Sequence, residues 1–266
     1  MSTTPPAPGP RPAGVSEVVR RDADTLATTV AEALVARLAE LQTQDRIPSV
    51  VLTGGSIARA IHREVARLSA APDEGSPRVD WRRVQLWWGD ERFVARDDEE
   101  RNAGQTDEDL LDHVDIDRDR VHTVAATGEV RDVEEAAAAY ADTLHAHGPE
   151  TFDIVMLGMG PDGHCASLFP GHPQLDEAVA STVSVTDSPK PPPERVSLTF
   201  PRLNAADSVW FLVAGEEKAD ACGRARRDQV GLPGQGSDAV AATPAAGVLG
   251  QTETVWWLDE AAAGHR

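Results

Sequence analysis

Lysine is nearly absent from this chain of 266 residues: of 25 basic side chains, 23 are arginine, and Lys190 and Lys218 are the only lysines. Cysteine is equally scarce. Cys165 and Cys222 are too few for a disulfide framework in a chain of this length, which points to a reducing cytoplasm. No apolar run reaches the roughly 18 residues needed to span a bilayer. The opening segment, Met1 to Gly14, is rich in proline and alanine but has neither a basic n-region nor an apolar h-region, so it reads as a disordered tail rather than a secretory signal. Positive charge is also in deficit, with 44 acids giving a net charge of −19. A field of that sign repels phosphodiester backbones and anionic lipid, which argues against nucleic acid and membrane partners.

What is present suffices for a core: 41% of residues are hydrophobic and 26% charged. Dividing the length by roughly 150 allows one large domain or two small ones. One α/β domain over residues 15–260 is expected, with 261–266 as a C-terminal tail. A monomer is the default expectation, with nothing in the sequence fixing the oligomeric state.

Val19, Ala23, Leu26, Val30, Leu34, Leu38 and Leu41 recur at helical spacing, predicting an amphipathic helix from Val19 that ends before Pro48. Ser49 to Thr53 is short, β-branched and apolar. It reads as a buried strand that turns through Gly54-Gly55-Ser56 into a helix carrying Ile57, Ile61, Val65 and Leu68. Val84 to Trp88 is a second strand, followed at once by Gly89-Asp90-Glu91-Arg92-Phe93, and a charge-rich stretch from Arg96 to Asp109 leads into a polar helix. A helix through Val133, Ala136, Tyr140 and Leu144 precedes a third strand, Phe152 to Leu157. Ser181 to Val185, Val196 to Phe200, Val209 to Ala214 and Val255 to Leu258 are further strand candidates, with a helix over Glu216 to Arg227. Strands separated by helices imply crossover connections, so the fold class is α/β: a mostly parallel, doubly wound, Rossmann-like sheet flanked by helices, with extra strands in the second half.

In such sheets ligands bind beyond the carboxyl ends of the strands. Three polar, glycine-bearing segments fall there: Thr53 to Ser56, Gly89 to Arg92, and Gly158 to His164. Gly54-Gly55-Ser56 opens a helix, so its N–H groups suit a phosphate; an ordinary turn with Ser56 as N-cap is the plainer alternative. Gly158-Met-Gly160-Pro-Asp-Gly163 matches G-x-G-x-x-G, but no acid ends a following strand where a ribose contact would be needed, so a dinucleotide site is not favoured. His164, at the start of an expected helix capped by Asp162, is a candidate general base. Cys165 beside it is read as packing filler. The other histidines, His62, His113, His122, His145, His147, His172 and His265, include no H-E-x-x-H pair, and neither a metal nor an organic cofactor is expected. Lys218 follows Gly215-Glu216-Glu217 at a helix head, where a cation is unfavourable unless an anion meets it. It is a second phosphate-contact candidate.

Three strings, Gly158 to Gly171, Trp88 to Val94 and Ser188 to Thr199, together resemble the 6-phosphogluconolactonases over roughly residues 16–260. The resemblance implies a cytosolic hydrolase that opens 6-phospho-D-glucono-1,5-lactone in the oxidative pentose phosphate pathway. It places the catalytic histidine at His164, its preceding acid at Asp162 and an Asp-x-Arg pair at Asp90 and Arg92. The phosphate would be held by Gly54, Gly55, Ser56 and Lys218, with Lys190 or Arg195 assisting. Where that family often continues Gly-Gly-Ser with Thr-Pro, this chain has Ile57-Ala58, which removes a hydroxyl donor. The related glucosamine-6-phosphate deaminases carry a glutamate shortly after the histidine. Here the stretch is Leu168-Phe169-Pro170, so hydrolysis is expected over deamination. A sugar-phosphate sensor without catalysis is the rival of another class.

Overall fold

The computed structural model describes residues 14–71, 75–230 and 237–264. The strands are β1 (Gly14–Arg20), β2 (Ser49–Leu52), β3 (Gln85–Trp88), β4 (Asp90–Arg92), β5 (Phe152–Gly158), β6 (Thr182–Val185), β7 (Arg195–Leu198), β8 (Ala206–Val213) and β9 (Glu253–Asp259). The helices are α1 (Ala23–Thr43), α2 (Ser56–Ala70), α3 (Asn102–Asp109), α4 (Val133–His147), α5 (Phe200–Asn204), α6 (Ala219–Val230), α7 (Asp238–Ala242) and α8 (Glu260–Ala263).

Six strands form one parallel sheet in the order β1-β9-β8-β5-β2-β3. Its side chains alternate between two cores, as the period of two along a strand requires. Val51, Trp87, Val155, Leu157, Val209, Phe211, Trp256 and Leu258 pack with α4 and α6 on one face. On the other, Val50, Leu52, Leu86, Trp88, Ile154, Met156, Trp210, Leu212, Val255 and Trp257 pack against α1 and α2. Both faces are covered, which is why these strands read as nearly unbroken apolar runs. The chain winds from β2 outward to β3 and then returns to β5 on the other side of β2. That reversal opens a crevice at the carboxyl ends of β2 and β5.

The extra strands of the second half form a separate antiparallel sheet, β4-β7-β6. Gly89 is the junction between the two sheets. Its N–H donates to Leu52 O at 2.9 Å, and its carbonyl accepts from Leu198 N at 2.8 Å. The chain's only tyrosine fixes the same exit point: the Tyr140 hydroxyl accepts from the Trp88 N–H at 2.9 Å and donates to its carbonyl at 3.0 Å.

The structure corrects several expectations. Val19 does not begin a helix: it lies in β1, paired with Leu258, and α1 starts at Ala23 behind Asp22, whose carboxylate accepts from Thr25 N at 2.8 Å. Gly14 belongs to that strand rather than to a tail, while residues 1–13 lie outside the described residues. At the other terminus α8 extends to Ala263 with Ala262 buried, where a tail was expected; residues 265–266, including His265, are also outside the described residues. Asp90 to Arg92 is a strand, not a loop. The segment after Gly163 makes turns instead of a helix, so Asp162 caps nothing there. Glu216 to Lys218 is a 3-10 turn ahead of α6. No helix among the described residues is long and apolar enough to cross a membrane.

Candidate active site

A cleft of about 250 Å³ opens at the crevice between β2 and β5. Gly54, Gly55, Ser56, Asp90, Arg92, His164, Lys190, Arg195 and Lys218 all line it, and Asp162 stands behind His164. The structure thus gathers every site residue expected from sequence at one place. A larger groove of about 660 Å³ runs between α4 and β6, but no lysine, arginine or histidine lines it, so it offers nothing to a phosphate.

One wall is made of turns at parallel strand ends. Thr53 Oγ1 accepts from Gly158 N at 3.2 Å, tying the ends of β2 and β5 together. Gly55, at φ +101°, is the N-cap of α2, and Ser56 is the first residue of the helix. Ser56 therefore does not cap. Its hydroxyl is exposed at a helix N-terminus whose N–H groups have no side-chain cap, an arrangement suited to an anion. Ile57 and Ala58 are buried, 6% and 0% exposed, and Ile57 lines the cleft without offering a hydroxyl.

Beyond β5, Gly160 N donates to His164 O at 3.0 Å and folds the loop back on itself. His164 Nδ1 lies 2.5 Å from Asp162 Oδ1. Burial works against the Asp162 charge, but the His164 ring and backbone N–H groups, with Lys190 beyond, outweigh it and bring the carboxyl down to about 2. Asp162 is therefore a carboxylate at neutral pH and accepts the Nδ1 proton, so that in a neutral ring the lone pair is on Nε2. With turns after Gly163 rather than a helix, the G-x-G-x-x-G match lacks the N-terminus that a dinucleotide pyrophosphate would need. Cys165, wholly buried with its thiol pushed up by burial, is packing, as the sequence suggested.

At the end of β8 the turn through Gly215, φ +110°, is held by Asp259, whose carboxylate accepts from Gly215 N at 3.1 Å. That turn presents Lys218. Burial pushes Lys218 below the ordinary lysine range, and the charge of Lys190 adds to the effect. Glu217 and Asp259 work against the shift, and the chain's only two lysines both line the cleft.

The second wall is the antiparallel sheet. Asp90, 7% exposed, accepts from Ser167 Oγ at 2.7 Å and lies 3.9 Å from Arg195 Nη1. Arg195 donates to the carbonyls of Lys190, Pro191 and Pro192, each at 3.2 Å, so it shapes the loop carrying Lys190 as well as lining the cleft. Arg92 donates to Glu100 O at 2.8 Å and to Asn102 Oδ1 at 2.5 Å.

Sequence reasoning missed Glu91, Asn102, Ser167 and Asp259. Glu91 is 1% exposed, and its carboxylate accepts from the N–H groups of Arg92, Asn102 and Ala103 at 2.8, 2.7 and 2.8 Å. Burial raises its pKa in spite of Arg101 and those donors. No local pattern marks these four, because their partners lie on other elements.

Known proteins resemble this chain along most of its length. A family model described as glucosamine-6-phosphate isomerases/6-phosphogluconolactonase matches residues 21–257. The chain is 44% identical over 258 residues to the 6-phosphogluconolactonase of Streptomyces coelicolor, covering 93% of each chain. It is 41% identical over 249 residues to that of Mycobacterium tuberculosis, covering 91% of this chain and 94% of the other. Among solved structures, the 6-phosphogluconolactonase of Thermotoga maritima superposes with a TM-score of 0.77 at 25% identity, over 92% of this chain and 99% of that one. A monomeric glucosamine-6-phosphate deaminase shares the fold, with a TM-score of 0.73 at 19% identity over 95% and 100% of the two chains. This chain belongs to the glucosamine-6-phosphate isomerase/6-phosphogluconolactonase family.

Proposed function

We propose that the chain hydrolyses 6-phospho-D-glucono-1,5-lactone to 6-phospho-D-gluconate. The observation that carries this reading is a carboxylate-oriented histidine and the only two lysines sharing one cleft with an uncapped helix N-terminus. His164 takes a proton through Nε2 from the water that attacks C1 of the lactone and returns it to the ring oxygen as the bond from that oxygen to C1 breaks, while Asp162 holds the imidazole tautomer and the charge that develops. Proton transfer of this kind contributes roughly 10²–10⁴ in rate. Arg92 stabilises the developing oxyanion, a role in which losing one donor costs about 3 kcal/mol. The amides of Gly55 and Ser56, the Ser56 hydroxyl, Lys218 and Lys190 clamp the 6-phosphate, and Arg195 assists by holding the Lys190 loop.

Deamination is disfavoured by chemistry at one place. The stretch after His164 that would supply a carboxylate for ring opening is Leu168-Phe169, both buried and apolar. The reading includes a cytoplasmic monomer acting on a small diffusing substrate, and two free buried thiols fit a reducing compartment. The test is turnover: the lactone is generated in situ, and release of 6-phosphogluconate is coupled to its dehydrogenase. A rate no faster than spontaneous hydrolysis would sink the proposal, and lactone or product binding without turnover would favour a sugar-phosphate sensor.

A further inference from the structure

Arg92 can stabilise an oxyanion only from a fixed position, and the side chain that fixes it is one that the lactonase reading does not use. Asn102, the first residue of α3, is 2% exposed. Its Oδ1 accepts from Arg92 Nη1 at 2.5 Å, and its Nδ2 donates to the main-chain carbonyl of Asp90 at 2.9 Å. The second bond fixes the amide's orientation: a flipped side chain would turn its NH₂ toward the guanidinium. Since Nη1 also donates to Glu100 O at 2.8 Å, both of its hydrogens are committed. Arg92 Nε is buried with no hydrogen-bond partner among the described residues, and Nη2 makes no bond there. Nη2 is what remains for a ligand. Glu91 braces the arrangement from below, because the same carboxylate accepts the backbone N–H of both Arg92 and Asn102.

The amide also touches the opposite wall. A Cβ built on Gly54 would fall 1.9 Å from Asn102 Oδ1 and 2.6 Å from its Cγ. Gly55 is needed for its positive φ, whereas Gly54 is needed for its lack of a side chain, since Asn102 fills that space.

We propose that Asn102 is the positioning residue for Arg92, setting the guanidinium so that Nη2 meets the reacting carbonyl oxygen, and that Gly54 is glycine to admit it. The proposal rests on the lactonase reading. A misplacement of about 1 Å at such a group can cost on the order of 10²-fold in rate.

The experiment is a double-mutant cycle on the full chain, with kcat, KM and Tm measured for wild type, Asn102→Ala, Arg92→Ala and the double variant. Asn102→Ala is expected to lower kcat by roughly 10–100-fold with KM changed by less than about 3-fold, and to add almost nothing in the Arg92→Ala background. Gly54→Ala, whose Cβ would meet the Asn102 amide, is expected to lower Tm in the wild type and to cost clearly less Tm once Asn102 is alanine. If Asn102→Ala does not fold, Asn102→Ser carries the same cycle. Losses of kcat that multiply in the double variant, or a Gly54→Ala loss of Tm that is undiminished beside Asn102→Ala, overturn the positioning role in an active enzyme. A wild type that does not accelerate hydrolysis overturns the lactonase reading and this inference with it.

Discussion

The two walls of the cleft are built on different principles. The wall at the carboxyl ends of β2, β5 and β8 is backbone: glycine turns at Gly55 and Gly215 with positive φ, helix N–H groups, and a few side chains carried on turns. The wall formed by β4 and β7 is side chain: Asp90, Arg92 and Arg195, with Asn102 behind them, buried or partly buried and bonded to one another or to carbonyls. Backbone donors need no rotamer ordering and no counter-charge, so the first wall can offer an anion site at little folding cost. Buried guanidinium and carboxylate groups do need partners, which ties the second wall's chemistry to its stability.

The comparison can be broken most visibly at His164. His164→Asn should lower kcat by about 10²–10⁴ with a much smaller effect on Tm, because the ring lines the cleft and its one aromatic contact is with Phe169, at 4.7 Å between centroids. Coupled turnover and thermal unfolding check both halves, and near-wild-type kcat would remove the histidine from its role. Arg195→Ala should act mainly on stability and, through the Lys190 loop, on KM. It leaves Asp90 buried without its cation and frees three loop carbonyls, so a loss of about 3 kcal/mol in unfolding free energy is expected, read by urea denaturation.

Lys218→Ala tests the first wall more gently. It should raise KM for the phosphorylated lactone by roughly 10-fold or more, as loss of a charge-assisted bond implies, without changing stability much. An unphosphorylated lactone should be nearly unaffected, and equal effects on both substrates would make the lysine structural. The smallest effect concerns acid. Asp162 is lowered from 3.8 to about 2, so its contribution to stability is complete above about pH 5 and is lost progressively as pH falls through 3.8 and then through 2. Allowing for partial exposure, this amounts to about 1 kcal/mol, and Asp162→Asn should flatten that limb of a stability–pH curve.

Much of the first wall was legible because its signals are local. A β-branched run followed by Gly54-Gly55-Ser56 can hardly avoid a strand, a turn and a helix start, and the loop from Gly158 to His164 follows the apolar run of β5 directly. Where local reading failed, the deciding partner was distant. Val19 fits a helical period as well as a strand, and it is the pairing of β1 with β9, more than 200 residues away in the chain, that makes it a strand. Asp162 before His164 looked like a helix cap, but Gly163 at φ +93° turns the chain aside, and the carboxylate meets the imidazole instead.

The sequence by itself determined the α/β class, the positions of the buried strands and the three glycine-bearing strand ends, since these follow from hydrophobic period and from glycine's conformational freedom. It also marked the two lysines as worth following, because they stand alone against a net charge of −19. Only the tertiary structure decided that Asp90-Glu91-Arg92 is a strand whose Asp90 and Arg92 line a cleft while Glu91 is buried. The same holds for Glu91, which caps a neighbouring helix, and for Asn102, which joins Arg92 to the space left open at Gly54. Those outcomes depend on which backbone donors and carbonyls come within about 3 Å of a side chain, and that distance is set by sheet pairing and packing between segments far apart in the chain.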